Sequence, residues 1–338
     1  MRVFVSCPLP GDAVERLRAA CDVVVGEPGL GVRSRAFDEH AASFDAVLAL
    51  LTDAIDEALL RRAPRVRLVA NMAVGVDNVD VVACRARGVT VTNTPDVLTE
   101  ATADLTFALL LAAARRVVEG DALVRRGAFP GWTPTTLLGA PVFGASLGVV
   151  GLGRIGRAVA RRARGFGMHV FYTQRNPLDA ALERALGASF RPIDELFRAC
   201  DFVTLHCPLT AETRHLVSRE RLATMKPGSV LVNTSRGACV DEAALADALE
   251  RAGAGVVPAS GGPGAAGLDV FEREPVGGSI EAGTTRTVVV EPRLLALPNV
   301  VLTPHVGSAD RRTREAMAGL AADNVLAFAR GAPLVTPV

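Results

Sequence analysis

The stretch "VVGLGRIGRAVARRARGFG" at residues 149–167 decides the fold of this 338-residue chain. An apolar run leads into a glycine-rich turn, and a helical pattern follows directly. The first glycine of such a GxGxxG spacing permits a tight turn, the second lets the backbone approach a pyrophosphate, and the third lets the helix pack close to the strand. Free N–H groups at the start of the helix would bind phosphate. The predicted dinucleotide turn comprises Gly151, Leu152, Gly153, Arg154, Ile155 and Gly156.

The next predicted strand, in "HVFYTQRNP" (169–177), ends without an acidic residue. An acid at this place accepts both ribose hydroxyls of NAD and repels a 2′-phosphate. After solvent screening the repulsion is worth roughly 1–3 kcal/mol, or about 10- to 100-fold in affinity. The chain offers Gln174, Arg175 and Asn176 instead, and Arg175 can pair with a phosphate. We therefore predict a preference for NADP(H), with NAD possible if Arg175 points to solvent.

Short β-type runs alternate with helical stretches on both sides of residues 99–145. This alternation predicts βαβ units and two parallel α/β sheets. Between them, residues 99–126 have a continuous helical pattern with Thr99 as its N-cap, and residues 127–145 are rich in Pro, Gly and Thr and are predicted to form a loop.

Composition excludes several classes of function. The net charge of +1 makes no electrostatic case for nucleic acid or an anionic membrane as a partner. The apolar run at 107–114 is too short to span a bilayer, and the N-terminus lacks the pattern of a signal peptide. The six scattered cysteines match neither a zinc site nor a disulfide framework. We expect no metal, reduced thiols and a cytoplasmic location.

Three later stretches place reactive groups after predicted strands: Arg236 in "NTSRGACVDE", Glu274 in "LDVFEREP" and His305 in "LTPHVGSA". In open α/β sheets, ligands bind outside the carboxyl ends of the strands. Each residue alone is a weak signal, because a strand-end arginine is more often part of a surface ion pair. His206, before a proline, is predicted to be structural.

Taken together, these residues resemble the D-2-hydroxyacid dehydrogenase family, and within it the glyoxylate/hydroxypyruvate reductase branch. The resemblance runs nearly end to end and includes "NMAVGVDNVD" (71–80), "NTPDVLTEATADLTFALLLAAARR" (93–116), "HCPLTAETRHLV" (206–217), "MKPGSVLVNTSRG" (225–237), "GLDVFEREP" (267–275) and "NVVLTPHVGSA" (299–309).

The resemblance implies two Rossmann-like or flavodoxin-like parallel-sheet domains. A discontinuous substrate domain would comprise residues 1–98 and 307–338, and a dinucleotide-binding domain, residues 99–306, would be inserted into it. The family is usually dimeric through the long helix near 99–126, which implies a homodimer.

The resemblance also implies the reaction, which is hydride transfer from the cofactor to a small 2-oxo acid. His305 would be the general acid, Glu274 would orient its imidazole, and Arg236 would bind the substrate. The backbone N–H groups of Ala73, Val74 and Gly75 would bind the substrate carboxylate. Further cofactor contacts are implied for Thr102, Cys207, Pro208, Thr213, Thr234, Asp269 and Gly307.

The chain departs from the family in two spacings, 251–267 and 276–291, which carry extra residues and are predicted to be surface loops.

Since "NMAVG" has no Arg or Lys for a substrate phosphate, glyoxylate and hydroxypyruvate fit better than phosphoglycerate. A larger apolar 2-oxo acid, phosphite oxidation on the same three residues, and a non-catalytic cofactor-sensing protein are the alternatives.

Overall fold

The computed structural model describes residues 1–253, 261–274 and 289–338. These residues form two compact units. The first unit contains Met1–Leu98 and Ser308–Val338, and the second contains Thr99–Glu274 and the described part of Val288–Gly307. Gly307, expected in the substrate domain, belongs to the second unit.

The first unit is built on a five-stranded parallel sheet in the order β2-β1-β3-β4-β5. The helix at the C-terminus of the chain rejoins this unit and packs against β4 and α1. The elements are β1 Arg2–Val5, α1 Ala13–Arg18, β2 Asp22–Val25, α2 Arg35–Asp38, β3 Ala46–Leu50, α3 Glu57–Arg62, β4 Leu68–Met72, α4 Val81–Ala86, β5 Thr90–Thr92 and α13 Arg311–Ala329.

The second unit is built on a seven-stranded parallel sheet in the order β12-β11-β10-β9-β6-β7-β8. Its strands are β6 Ser146–Val150, β7 His169–Thr173, β8 Ala188–Phe190, β9 Phe202–Leu205, β10 Ser229–Asn233, β11 Pro263–Leu268 and β12 Val300–Leu302. Its helices are α5 Thr99–Ala114, α6 Val117–Arg125, α7 Arg154–Gly165, α8 Ala180–Leu186, α9 Ile193–Ala199, α10 Arg219–Thr224, α11 Glu242–Ala252 and α12 Pro292–Ala296.

Two parallel sheets with helices between successive strands confirm the predicted α/β class. The strands of the second unit are apolar and buried, as in β10, where all five residues are buried, which is typical of a sheet covered on both faces. From β6 the strand order runs both ways, to β7 and β8 on one side and to β9 on the other. The switch point between β6 and β9 is where such folds bind ligands.

Helix α7 shows how the sequence forms this packing. Its small residues Ala158 and Ala163 are fully buried, so α7 can lie close to α5. On the exposed side, Arg161 and Arg162 pair with the carboxylate of Glu100 at the start of α5. The apolar and charged positions of α7 in the sequence therefore correspond to its face against α5 and its exposed face.

Several local expectations are wrong. The pattern over 99–126 is two helices, because Arg116 adopts the left-handed region (φ 54°) and ends the first of them. Thr99 is the first helical residue of α5 rather than its cap. Part of the predicted loop 251–267 is strand, since β11 begins at Pro263. The rest of the two long spacings falls largely on residues 254–260 and 275–288, outside the described residues.

The sequence also did not predict β2, α2, α8, β8, α9, α10 and α12. In the described part of the chain, no helix combines the length and the apolar character needed to cross a membrane.

Candidate active site

All seven strands of the second unit run parallel, so their carboxyl ends lie at one edge of the sheet. The glycine turn follows β6, Gln174 follows β7 and Cys207 follows β9. Arg236, Asp269 and His305 follow β10, β11 and β12 in the same way. The parallel sheet thus explains why groups far apart in the sequence occupy one edge.

The glycine turn has the geometry that a dinucleotide requires. Gly151 has φ +92°, and a Cβ there would lie 2.8 Å from the carbonyl oxygen of His206. A Cβ on Gly156 would lie 2.1 Å from the carbonyl oxygen of Gly151. At Gly153, by contrast, a Cβ would meet nothing within 4 Å, so open space lies before the N-terminus of α7. Close packing therefore requires glycine at positions 151 and 156. The absence of a side chain at Gly153 leaves room for a pyrophosphate.

The side chains of the turn differ in exposure: Leu152 is buried, Ile155 is half-buried and Arg154 is exposed. Gln174 reaches back to the turn, where its Oε1 accepts a hydrogen bond from the N–H of Leu152 at 3.2 Å. Its Nε2 donates to the carbonyl oxygen of Asn176 at 2.7 Å. Gln174 therefore ties the end of β7 to the phosphate turn.

Arg175 and Asn176 are both exposed at the end of β7. The pKa of Glu212 is lowered, chiefly by a hydrogen bond from Thr210 and in part by the positive charge of Arg175. The Arg175 guanidinium thus lies near the loop that follows β9, and it brings positive charge to the place where a ribose-binding acid is absent.

His305 and Glu274 form a hydrogen-bonded pair, with Nδ1 of the imidazole donating to Oε1 of the carboxylate. An ionised carboxylate only accepts, so the pair assigns a proton to Nδ1 and leaves Nε2 as the nitrogen that can exchange a proton with a ligand. The side chains are partly buried, with 28% and 14% of their surface exposed. Glu274 is held by a turn in which its N–H donates to the carbonyl oxygen of Phe271 at 3.1 Å.

The backbone of His305 lies in the left-handed region, with φ +54°. This conformation is unfavourable for a side chain with a Cβ and persists where surrounding contacts impose it. Asp269 supplies those contacts: its carboxylate accepts from Thr303 Oγ1 at 2.6 Å, Val306 N at 2.8 Å and Gly307 N at 2.9 Å. Its own carbonyl oxygen accepts from His305 N at 2.9 Å.

Burial raises the pKa of Asp269, while these hydrogen bonds and the charge of His305 offset the shift in part. The sequence reasoning gave Asp269 only a cofactor contact. The sequence did not reveal the hydrogen bonds of Asp269 with the Thr303 hydroxyl before His305 and with the backbone of Val306 and Gly307 after it, because these contacts join two strand ends that come together only in the folded sheet.

Arg236 lies on a turn fixed by its neighbours. Its carbonyl oxygen accepts from Asn233 Nδ2 at 2.8 Å, and its Nη1 donates to the carbonyl oxygen of Ser235 at 2.9 Å. A Cβ on the next residue, Gly237, would lie 1.8 Å from the carbonyl carbon of Phe271. Only glycine therefore lets the Arg236 turn lie against the turn that carries Glu274.

Glu242 is a second residue that sequence reasoning missed. Its buried carboxylate accepts from the N–H of Glu272 at 2.7 Å and from the N–H of Glu291 at 3.4 Å. Burial raises its pKa; the two N–H groups oppose the shift, and the charges of Glu272 and Glu291 add to it. The only sequence signal was an acid in the first turn of a predicted helix, which is a common feature.

The remaining predicted cofactor residues lie at the same edge of the sheet. Thr234 Oγ1 hydrogen-bonds Thr106 Oγ1 at 2.9 Å, and a Cβ on Gly307 would lie 3.5 Å from the side chain of Thr102. Thr213 Oγ1 donates to the carbonyl oxygen of Pro208 at 2.7 Å. These residues stay predictions as cofactor contacts.

The ring of His206 has no hydrogen-bond partner at either nitrogen among the described residues. Burial lowers its pKa to about 3, so the ring is neutral at ordinary pH. A neutral imidazole next to the glycine turn adds no charge to the site.

In the first unit, the loop after β4 contains the predicted carboxylate donors. The N–H of Ala73 donates to the carbonyl oxygen of Asn71 at 2.8 Å, so it is already used. Within the described part of the chain, the N–H groups of Val74 and Gly75 have no partner. All three residues stay predictions as carboxylate donors.

Comparison with known proteins agrees with this arrangement. A family model described as D-isomer specific 2-hydroxyacid dehydrogenase, NAD binding domain, matches residues 107–307. A protein of Pyrococcus furiosus named glyoxylate reductase is 44% identical over 98% of this chain and 93% of its own length.

Two solved structures show the same likeness. A glyoxylate reductase from Paecilomyes thermophila is 32% identical with a TM-score of 0.84, covering 100% of this chain and 98% of its own. An NADPH-dependent glyoxylate/hydroxypyruvate reductase from Sinorhizobium meliloti is 33% identical with a TM-score of 0.80, covering 100% of this chain and 97% of its own.

Proposed function

Because the chain belongs to the D-isomer specific 2-hydroxyacid dehydrogenase family and is an enzyme of that family, we propose that it reduces glyoxylate, or the similarly small hydroxypyruvate, to the 2-hydroxy acid. The observation that carries this proposal is the hydrogen-bonded pair of His305 and Glu274 at the carboxyl edge of the second sheet. The names of the relatives support glyoxylate as the first substrate to test.

A bound nicotinamide cofactor supplies the hydride for this chemistry. The glycine turn from Gly151 to Gly156 would hold its pyrophosphate. His305, protonated at both ring nitrogens, donates the Nε2 proton to the substrate oxygen on which negative charge develops. Glu274 keeps the ring oriented through Nδ1, and Arg236 pairs with the substrate carboxylate.

We propose different roles for the two units. The second unit is the NAD-binding domain of the family, and the first unit would supply substrate contacts through the N–H groups of Val74 and Gly75. Replacing Gly75 with proline removes one of these donors, and we expect it to raise the KM for the 2-oxo acid while leaving cofactor affinity unchanged.

For the cofactor we propose a preference for NADPH over NADH. The support is the exposed Arg175 guanidinium beside a ribose position that lacks an acid, together with the relative named as NADPH-dependent. The experiment compares kcat/KM for NADPH and NADH with glyoxylate. A ratio favouring NADH would show that Arg175 does not set the cofactor preference. It would not count against the proposed reductase activity.

We also propose a homodimer formed by α6 and the segment that follows it. This stretch exposes several large apolar side chains, including Trp132 at 83% and Phe143 at 82%. The full set is Val117, Val118, Val124, Phe129, Trp132, Leu138 and Phe143. The concentration of large exposed apolar side chains in this one stretch of chain supports an interaction surface, and a second copy of the chain is the partner that the family resemblance implies.

The test of the function is reduction of glyoxylate and hydroxypyruvate by the wild-type protein and by the His305→Asn variant. We expect near-complete loss of turnover in the variant with cofactor binding retained in a fluorescence titration. Higher kcat/KM with a larger apolar 2-oxo acid, or oxidation of phosphite, would replace the substrate proposal and keep the same residues. Unchanged turnover in the variant would remove His305 from the mechanism.

A further inference from the structure

Two carbonyl groups of the loop after β4 are held by the segment that follows β5. The carbonyl oxygen of Ala73 accepts a hydrogen bond from Thr94 N at 2.8 Å. The carbonyl oxygen of Val74 accepts from Asn93 Nδ2 at 2.8 Å. Since β4 and β5 are paired neighbours in the sheet of the first unit, the two segments that follow them lie side by side.

These two contacts set the direction of two N–H groups. In a planar trans peptide, the C=O and the N–H of one unit point in opposite directions. The carbonyl of Ala73 shares a peptide unit with the N–H of Val74, and the carbonyl of Val74 shares one with the N–H of Gly75. Because both carbonyls face residues 93–94, both N–H groups point away from that segment. Successive N–H groups on one side of a loop are suited to binding an anion.

The backbone of Asn93 is itself held by a residue 243 positions away, Thr336. Thr336 Oγ1 donates to the carbonyl oxygen of Asn93 at 2.6 Å, and the N–H of Asn93 donates to the carbonyl oxygen of Thr336 at 3.2 Å. An antiparallel bridge between Thr92 and Pro337 continues the contact. The segment after α13 therefore lies along the end of β5 and fixes the residue that holds Val74.

Thr336 is positioned in turn by Asn324, a fully buried residue of α13. Asn324 Oδ1 accepts from Val335 N at 3.0 Å and from Thr336 N at 3.1 Å. Asn324 Nδ2 donates to Thr336 Oγ1 at 2.9 Å. A hydroxyl has one proton to donate, and because it accepts from Asn324, that proton is directed to Asn93.

We propose that Asn93 and Thr336 are positioning residues for the binding of the substrate carboxylate. Thr336 holds the backbone of Asn93, and the Asn93 side chain fixes the peptide that presents the Gly75 N–H. The inference rests on the proposed function, in which the N–H groups of Val74 and Gly75 bind the 2-oxo acid.

The Asn93→Ala variant removes the amide that holds the Val74 carbonyl oxygen. The peptide that carries the Gly75 N–H is then free to rotate, and substrate binding must order it, in the ground state and the transition state alike. We expect the KM for glyoxylate to rise about tenfold, as for one weakened hydrogen bond to a charged group, with kcat within about threefold. Loss of folded protein has a different signature, because it lowers the apparent kcat and leaves KM unchanged.

Variants of Thr336 test the step behind Asn93. Thr336→Val removes the hydroxyl, keeps the side-chain shape and should raise KM by about threefold, because one neutral hydrogen bond is lost. Thr336→Ser keeps the hydroxyl and should restore the wild-type KM. In the double variant Asn93→Ala with Thr336→Val, KM should equal that of Asn93→Ala alone, because Thr336 acts only through Asn93.

Ser43 provides a matched control in the same unit. Its hydroxyl donates to the carbonyl oxygen of His40 at 2.6 Å and accepts from Arg2 Nη1 at 3.0 Å, the same pattern as Thr336. Ser43 precedes β3, so it lies at the opposite edge of the parallel sheet from residues 73–75, which follow β4. Ser43→Ala should therefore leave the KM for glyoxylate unchanged.

The experiment measures kcat, the KM values for glyoxylate and for the reduced cofactor, and Tm for the wild type and each variant. A calorimetric titration of the cofactor-bound protein with oxalate measures carboxylate binding without turnover. We expect Asn93→Ala to weaken oxalate binding about tenfold and to leave the KM for the cofactor within about twofold.

Several results would overturn the proposal. One is an unchanged KM with unchanged oxalate affinity in Asn93→Ala, and another is an equal rise of KM in Ser43→Ala. Effects of Asn93→Ala and Thr336→Val that add in the double variant would show that Thr336 does not act through Asn93. Absence of glyoxylate turnover by the wild type would instead count against the proposed function. The oxalate titration would then decide the proposal alone, and a wild type that binds no oxalate would refute it.

Discussion

Replacing Asp269 with asparagine tests how much catalysis depends on the position of His305, because it leaves the His305 side chain itself unchanged. The wild-type carboxylate accepts from Thr303 and Val306 through one oxygen and from Gly307 N–H through the other. The carbonyl oxygen of asparagine can keep the first two contacts. Its NH2 group then faces the Gly307 N–H, so two donors meet and one hydrogen bond is lost.

The expected magnitude follows from that single contact. Losing a hydrogen bond to a charged group costs about 1.5–3 kcal/mol, and removal of a buried charge offsets part of this. We expect a net loss of about 2 kcal/mol, which lowers Tm by about 4–8 °C for a domain of this size. Since His305 is held with φ +54° by this clamp, its ring should shift, and a shift of about 1 Å can reduce kcat by about a hundredfold.

Asp201 offers a matched control in the same unit. Its carboxylate accepts from Ser146 N at 2.9 Å, Ser146 Oγ at 2.6 Å and Lys226 Nζ at 2.8 Å, on the opposite edge of the sheet from His305. Because 41% of the Asp201 side chain is exposed and solvent screens its contacts, Asp201→Asn should lower Tm by less than Asp269→Asn and should leave kcat within about twofold. Circular dichroism melts and steady-state kinetics measure the two effects.

The pH dependence of stability should have opposite signs for the two variants. Burial raises the pKa of Asp269, so its ionisation costs native stability as pH rises from the unfolded value near 3.9 through the folded one. The deficit of Asp269→Asn should shrink over that window. The pKa of Asp201 is lowered, because hydrogen bonds from Lys226 and Ser146 outweigh burial, so the deficit of Asp201→Asn should grow as pH rises towards 3.9. Equal kcat in both aspartate variants, or deficits that change in the same direction, would refute the reasoning.

Three further predictions concern other parts of the second unit. Arg175→Ala should reduce kcat/KM for NADPH by about 10- to 100-fold with little effect on NADH, whereas the exposed Arg184→Ala should change neither; parallel losses with both cofactors would contradict the phosphate contact. Gly237→Ala places a Cβ 1.8 Å from the carbonyl carbon of Phe271 and should reduce kcat by at least tenfold, while Gly165→Ala in α7, where a Cβ meets nothing within 4 Å, should leave kcat unchanged. Replacing both Trp132 and Phe143 with serine should convert a dimer to a monomer in light scattering after size exclusion; a wild-type protein that is monomeric, or a variant that stays dimeric, would remove this surface from the assembly.

The sequence predicts the fold around the candidate site because the hydrophobic period and the turn chemistry are local signals. The apolar run before Gly151 and the helical pattern after Gly156 identify a strand, a turn and a helix. Once several parallel strands are recognised, the residues that follow them must share one edge. Arg236, Glu274 and His305 can therefore be grouped from their positions after predicted strands, whereas Asp269 came only from the family resemblance.

What the sequence could not predict depends on contacts between distant segments. Arg116 ends α5 in a left-handed conformation, yet arginine has a high helix propensity and neither glycine nor proline marks the break. Its guanidinium pairs with Glu119, only three residues on, but the contact of its Nη1 with the carbonyl oxygen of Leu138 forms only in the folded chain. Likewise, β11 begins at Pro263, two residues before the strand that the sequence predicts from Ala265, because burial in the sheet interior overrides the loop-like proline and glycine at its start.

The described residues on either side of the long spacing after Glu274 are held by the start of α11. Glu242 holds the N–H of Glu272 and the N–H of Glu291 with one buried carboxylate, and Arg273 pairs with Val289 in an antiparallel bridge. Glu272 and Glu291, which flank this spacing, are therefore both fixed to Glu242 at the start of α11. Because both flanks are fixed there, the position of Glu274 is set by contacts among described residues. The residues that keep the site in register are thus Glu242 and Gly237, which lie next to the reactive groups without being among them.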